Sequence, residues 1–318
     1  MLRNGTKSPN FLIVGAAKSG TTSLCHYLSA HPEVFIPKEK ELFFFSMQNK
    51  LNIRGPGSIF VKSFFVDHFE EYIDKYFKGA SGHIAVGEGS TDSLYYYNSS
   101  IRNIKKHLGE NVNIIIMLRD PVEACLSRYR HSLMRGWENK QLELAVKSWE
   151  ERKKENWLWD FDYFGAFMYY EKVNAFLSNF TNTKIFLFDD LLTRRNDVLK
   201  ECFTLLKVSP TLTSDEKNIR FLKSGIPRNR LMLSLLDNQN VIKKLFTDNI
   251  PFRFYRKLIN MKENLRNLMI KEFDVKISSS FQEKMVSKFS KDVKKLEKLI
   301  GRSLSHWKSY GQIISTGK

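Results

Sequence analysis

In the first half of the chain, apolar positions come in short blocks that close on glycine or charged residues. Phe11-Leu12-Ile13-Val14 stops at Gly15 and a small-residue turn. A run this short predicts a buried strand entering a loop, followed by a helix near Thr22 to Ser29. Ile84 to Gly87 reads as a weaker strand, Asn113 to Leu118 as the strongest in the chain, and Lys184 to Phe188 as another, ending at Asp189-Asp190. Pro121, a favoured residue for a first helical turn, opens helical sequence that continues through Trp149. Strands separated by helices predict parallel pairing, hence an α/β fold with a central parallel sheet flanked by helices. In such sheets ligands collect at the carboxyl ends of the strands.

The last third has a different pattern. From about residue 218 to 318 the chain is basic and reads as helical, with loops around Gly225-Ile226-Pro227 and Ile250-Pro251. Phe281, Met285, Phe289, Val293, Leu296 and Ile300 recur at three- and four-residue steps, with lysines largely on the opposite face. This spacing predicts a docked amphipathic helix from Ser280 to Ile300, with a Ser280/Glu283 capping box and Gly301 as its stop. With no repeat, low-complexity tract or clear linker, residues 1–318 read as one domain carrying a helical C-terminal extension.

Composition narrows the function classes. Hydrophobic residues at 42% and charged residues at 27% describe a globular chain, and the 25 phenylalanines, Phe43-Phe44-Phe45 among them, predict an aromatic core. The formal charge of +17 concentrates anionic partners without choosing among nucleotides, glycans, acidic lipid or nucleic acid. No window reaches the ~18 apolar residues of a spanning helix, and Met1 to Asn10 lacks the apolar core of a signal peptide, so the expectation is a chain without a transmembrane segment. Cys25, Cys125 and Cys202 are too widely spaced for a metal pattern or disulfide framework, which suggests a reducing compartment.

Two motifs carry the chemistry. Gly15-Ala16-Ala17-Lys18-Ser19-Gly20-Thr21-Thr22 follows the first strand and opens a helix. Small residues let the backbone wrap a phosphate, with N–H groups and the helix N-terminus facing it. A nucleotide kinase would carry lysine after the second glycine; here that position is Thr21, and the lysine sits inside the loop at Lys18. The second motif runs from Met117 to Tyr129. Arg119 ends a strand and Ser127 lies eight positions later in the next helix, so a guanidinium and a hydroxyl can converge on one phosphate. In isolation, Arg119 could also be a structural partner of Asp120 or another carboxylate, the lesser of the two readings.

Together these motifs resemble the sulfotransferases that use 3′-phosphoadenylyl sulfate (PAPS), in the branch holding heparan sulfate sulfotransferases and their bacterial relatives. Lys18-Ser19-Gly20-Thr21-Thr22 looks like that family's 5′-phosphosulfate loop; Leu28, His31-Pro32 and Lys40-Glu41-x-x-Phe44-Phe45 also follow its text, with Phe43 where many relatives carry histidine. The resemblance implies a P-loop-like fold and donor contacts from Lys18, Ser19, Gly20, Thr21 and Thr22 at one end and Arg119 and Ser127 at the 3′-phosphate. Lys223 to Arg230 resembles a loop that closes over the nucleotide, which makes the Gly225 backbone and Arg228 further candidates. Gly165 to Phe188 and Leu296 to Trp307 also read like the family. Glu88, in Gly87-Glu88-Gly89-Ser90 with Tyr95 beyond, looks like its catalytic base, although Gly89 replaces the usual lysine. His83 and His107 are the rival bases.

The implied reaction is sulfuryl transfer from PAPS, without a metal, to an acceptor hydroxyl or amine. A saccharide is the favoured acceptor, and 3′,5′-adenosine bisphosphate (PAP) is the product. The competing readings are a P-loop nucleotide kinase or NTPase, and a basic nucleic-acid-binding protein, for which no recognised module is present. Lacking the membrane anchor of its animal relatives, the chain is expected to be cytoplasmic.

Overall fold

The computed structural model describes residues 6–47, 52–210, 225–227, 270–272, 275 and 277–311. Its centre is a five-stranded sheet of β1 (Phe11–Gly15), β2 (Val34–Phe35), β3 (Ala85–Gly89), β4 (Asn113–Leu118) and β5 (Thr183–Leu187). The order is β2-β3-β1-β4-β5, and every pairing is parallel. All of β1 and nearly all of β4 are buried, which is why their sequences read as unbroken apolar runs rather than alternating ones.

The strand period divides the core between the two faces of the sheet. Leu12, Val14, Ile114, Ile116 and Leu118 point into the larger cluster, which includes Phe43, Phe44, Phe45 and Tyr72. Phe11, Ile13, Ile115, Met117 and Phe186 point to the other side, against Leu24 and Leu28 of the Thr21–Ser29 helix and Val198, Leu199 and Phe203 of the Arg195–Leu206 helix. The helix Ser279–Ile300 docks on the larger cluster through Phe281, Met285, Phe289, Val293 and Leu296, as its periodicity predicts.

Four boundaries differ from the sequence reading. Glu88 does not follow β3 but lies within it, because the ladder continues as Leu12 opposite Glu88 and Ile13 opposite Gly89. Phe188 opens a short helix instead of closing β5, since the Asp190 carboxylate accepts from the Leu187 N–H at 3.0 Å and turns the chain. The Pro121 helix stops at Met134 rather than near Trp149: Gly136 takes φ 67°, and the Trp137 N–H closes back on the Ser132 carbonyl at 2.9 Å. Shorter helices, Leu142–Lys147 and Trp149–Lys154, follow. The C-terminal helix is capped by Ser278, whose hydroxyl accepts from the Phe281 N–H at 3.2 Å, so Ser280 is already helical. Gly301 does end it, at φ 64°.

The three cysteines are buried and free. Among the described residues, no helix is long and apolar enough to cross a membrane, and no group of three or more His, Cys, Asp or Glu side chains could hold a metal ion.

Candidate active site

Parallel strands gather their carboxyl ends at one edge of the sheet, and the candidate residues collect there. The loop after β1 carries Lys18, Ser19 and Gly20; the residue after β4 is Arg119; β3 ends in Glu88 and Gly89; and Phe188 follows β5. Gly15 and Gly20 are both demanded by geometry. Gly15 has φ 151°, and a Cβ there would stand 2.6 Å from Leu94 Cβ. Gly20, the N-terminal cap of the Thr21–Ser29 helix, has φ 85°, and its Cβ would meet the Phe188 ring at 2.7 Å. Lys18 itself takes a left-handed φ of 62°. In a non-glycine residue that conformation is uncommon and mildly strained.

Lys18 stands in a field of like charge. Burial, followed by the nearby guanidiniums of Arg128, Arg119 and Arg135, brings its ammonium down to about 7, with Asp160 acting in the opposite sense. His131 is pushed well below its usual range by burial and then by Lys18, Arg135 and Arg128. Arg128, His131 and Arg135 fall at helical steps along and just beyond the Pro121–Met134 helix, on the side it turns toward the loop. Lys18 with Arg128, Arg119 and Arg135 around it is self-repulsive and only partly offset by Asp160, an arrangement that suits an anion. Arg128 is steadied by Asp160 at 2.7 Å and lies over the Trp159 ring at 5.0 Å. Arg128 and Arg135 are cations that the sequence alone did not single out; their i, i+7 spacing, with His131 between them, was the available signal.

Arg119 is held on three sides. Its guanidinium donates to the Lys18 carbonyl at 3.3 Å, lies over the Phe188 ring at 4.7 Å, and faces Glu123 at 3.6 Å. Asp120 is therefore not its partner: that carboxylate caps the following helix, accepting from the Val122 N–H at 2.8 Å. Ser127 is buried on the same helix, one turn beyond Glu123 and on the same face. Ser19 is buried, and Thr21 accepts from Lys40 Nζ at 3.2 Å. Thr22 lies in the first turn of the loop helix. Of the remaining nucleotide candidates, Gly225 lies in a short antiparallel pairing with Glu272, and Arg228 lies outside the described residues.

Glu88 is only 2% exposed. Ser90 Oγ donates to its Oε2 at 2.6 Å, and the hydroxyl of Tyr72 is buried beside it. Burial pushes the carboxyl up to about 7 in spite of the Ser90 contact, with Glu41 adding to the rise. Ser90 is fixed in turn by the N–H groups of Leu42 at 2.9 Å and Phe43 at 3.3 Å. Phe43 is part of the buried core.

Lys40 links this carboxyl to the loop. Its ammonium donates to Glu41 at 2.6 Å as well as to Thr21, and although burial works against its charge, Glu41 leaves its pKa raised. A Cβ at position 89 would fall 3.3 Å from Lys40 Cε and 2.7 Å from Cys25 Sγ. Glycine at 89 thus leaves room for Lys40 at the place where the sequence reading noted a missing lysine.

The rival bases lie at the opposite edge of the sheet. His83 precedes β3 and packs on Phe35; His107 lies near the end of the helix before β4 and packs on Phe44 and Phe69.

Residues 9–166, which contain both phosphate motifs and the Glu88 strand, match the model of the sulfotransferase family. That stretch is just under half of the chain, and it marks this part as sulfotransferase-like. A membrane-associated sulfotransferase of Dictyostelium discoideum, kil1, is 30% identical over 125 residues, which are 39% of this chain and 23% of that protein. The chain therefore spans about a quarter of the length of this curated relative. The crystal structure of a sulfotransferase from Alicyclobacillus acidocaldarius superposes with a TM-score of 0.70 at 26% identity, over 95% of this chain and 99% of that one. That likeness covers far more of the chain than the stretch matched by the family model.

Proposed function

We propose that the chain transfers a sulfuryl group from PAPS to an acceptor hydroxyl or amine, with a saccharide as the favoured acceptor class. The observation that carries this reading is the cluster of Lys18, Arg119 and Arg128 between the ends of β1 and β4, a site whose charge suits a compact polyanion. Lys18 and the N–H groups of Ser19, Gly20, Thr21 and Thr22 hold the phosphosulfate end. Arg119 and Ser127 hold the 3′-phosphate. Residues 1–318 act as one catalytic unit in this reading, at work in the cytoplasm.

PAPS supplies an activated sulfuryl group and a phosphate leaving group. Glu88 removes the proton from the acceptor as the acceptor oxygen or nitrogen bonds to sulfur. The sulfur–oxygen bond to phosphate breaks in line, and its electron pair stays with the departing phosphate oxygen. Lys18 and the loop amides stabilise the charge that grows there, as preorganised donors do at other developing oxyanions. The products are the sulfated acceptor and PAP.

The test is transfer of labelled sulfate from PAPS to a panel of neutral and acidic saccharides. Label incorporation that is lost in Lys18→Ala and Glu88→Gln supports the reading. Mg-ATP hydrolysis with no label transfer overturns it.

A further inference from the structure

The end of the described chain returns to the strand edge that bears Arg119. Arg302 forms a two-point ion pair with Asp190 at 2.6 and 2.9 Å, the Trp307 indole N–H donates to Asp189 at 3.4 Å, and the Ser309 N–H donates to Asp120 at 3.3 Å. These contacts fix the segment from Arg302 to Tyr310 across the residues that follow β4 and β5. They also set Lys308 beside Glu123, with Nζ 2.5 Å from Oε1.

Glu123 is in an awkward place for the proposed donor site. Its Oε2 faces Arg119 at 3.6 Å, and Ser127 lies one turn further along the same helix face. A carboxylate there competes with an incoming phosphate for Arg119 and repels it. Lys308 holds the other carboxylate oxygen, at a shorter distance than Arg119 does. Burial works against the Glu123 charge, but Lys308 and then Arg119 outweigh it, so the group stays ionised and needs a cation beside it.

We infer that Lys308 is a positioning residue for nucleotide binding: by taking the charge of Glu123 it leaves Arg119 available to the 3′-phosphate. Without Lys308, Glu123 is left to Arg119, with Arg130 also acting on it, and the phosphate must compete with that carboxylate for Arg119. This rests on the reading of Arg119 as a donor contact. It also assigns the C-terminal segment a role in binding besides packing.

Lys308 and Glu123 are both partly solvent-exposed, so the coupling belongs to the upper range for surface pairs and corresponds to about a fivefold change in affinity. The experiment is calorimetric titration of PAP into the full chain and its variants at low and high salt. Lys308→Met is expected to weaken PAP binding about fivefold at low salt, and Lys308→Arg to restore it. Glu123→Gln is expected to bind at least as tightly as the parent chain. The decisive variant is Lys308→Met in a Glu123→Gln background, which should bind like Glu123→Gln alone.

A purely structural role for Lys308 would weaken binding in both backgrounds, and that result overturns the inference. So does unchanged binding in Lys308→Met. Arg119→Ala separates the two levels. If it binds PAP like the parent chain, the donor-site reading itself fails; if it loses binding while Lys308→Met does not, only the role of Lys308 falls.

Discussion

Replacing Glu88 by glutamine should make the protein less active and, above neutral pH, more stable. The carboxyl is buried on the core side of β3 and its pKa is raised from 4.5 to about 7, with burial as the leading cause. An unfolded chain ionises this group near 4.5, whereas the folded one keeps its proton up to about 7. Between those values the unfolded state binds fewer protons, so stability falls as pH rises, and above about 7 the full loss has accrued. At 1.36 kcal/mol per pH unit, that loss is about 3 kcal/mol. Glutamine keeps the shape and the acceptor for Ser90 Oγ while removing the titration. Urea unfolding of both proteins at pH 5 and pH 8 reads the difference directly. The variant should match the parent near pH 5 and exceed it by about 2 to 3 kcal/mol at pH 8, while turnover collapses. A stability difference that does not depend on pH would refute the claim that burial holds this carboxyl in its acid form. Parental turnover in the variant would refute its role as base.

Other expectations follow from the same geometry. Lys18→Ala should lower kcat by about 10²–10³, the usual cost of removing one preorganised donor, and weaken PAP binding in calorimetry. The pH profile of kcat should rise through a pKa near 7 as Glu88 ionises, whereas donor KM should increase above about pH 7, where free-enzyme Lys18 loses its charge; flat profiles from pH 6 to 9 would contradict both assignments. Arg128→Met leaves Asp160 without its partner in a largely buried position, so it should destabilise the fold by about 3 kcal/mol in urea unfolding, with partial recovery in Arg128→Met/Asp160→Asn.

The parts of the fold most legible in the sequence were those with one dominant cause. Phe11 to Val14 and Asn113 to Leu118 read as strands because parallel strands buried on both faces need unbroken apolar runs. The loop that carries Lys18 and the strand-end position of Arg119 were legible because glycine spacing and an arginine closing an apolar run are local features. Boundaries decided by a single hydrogen bond were harder to read. Phe188 resembles the end of a strand until Asp190 caps the turn, and Ser278 and Ser280 compete for one capping position. The cation cluster around Lys18 depends on which side of a helix faces the loop, and the sequence leaves that choice to packing. The contacts of Arg302 and Lys308 join residues more than a hundred positions apart, and no local pattern announces them.

The most direct test of the account is a crystal structure of the chain with PAP. The account predicts the 5′-phosphate against Lys18 and the amides of Ser19 to Thr22, and the 3′-phosphate against Arg119 and Ser127. Nucleotide density elsewhere on the molecule, with Arg119 still turned to Glu123, would contradict it.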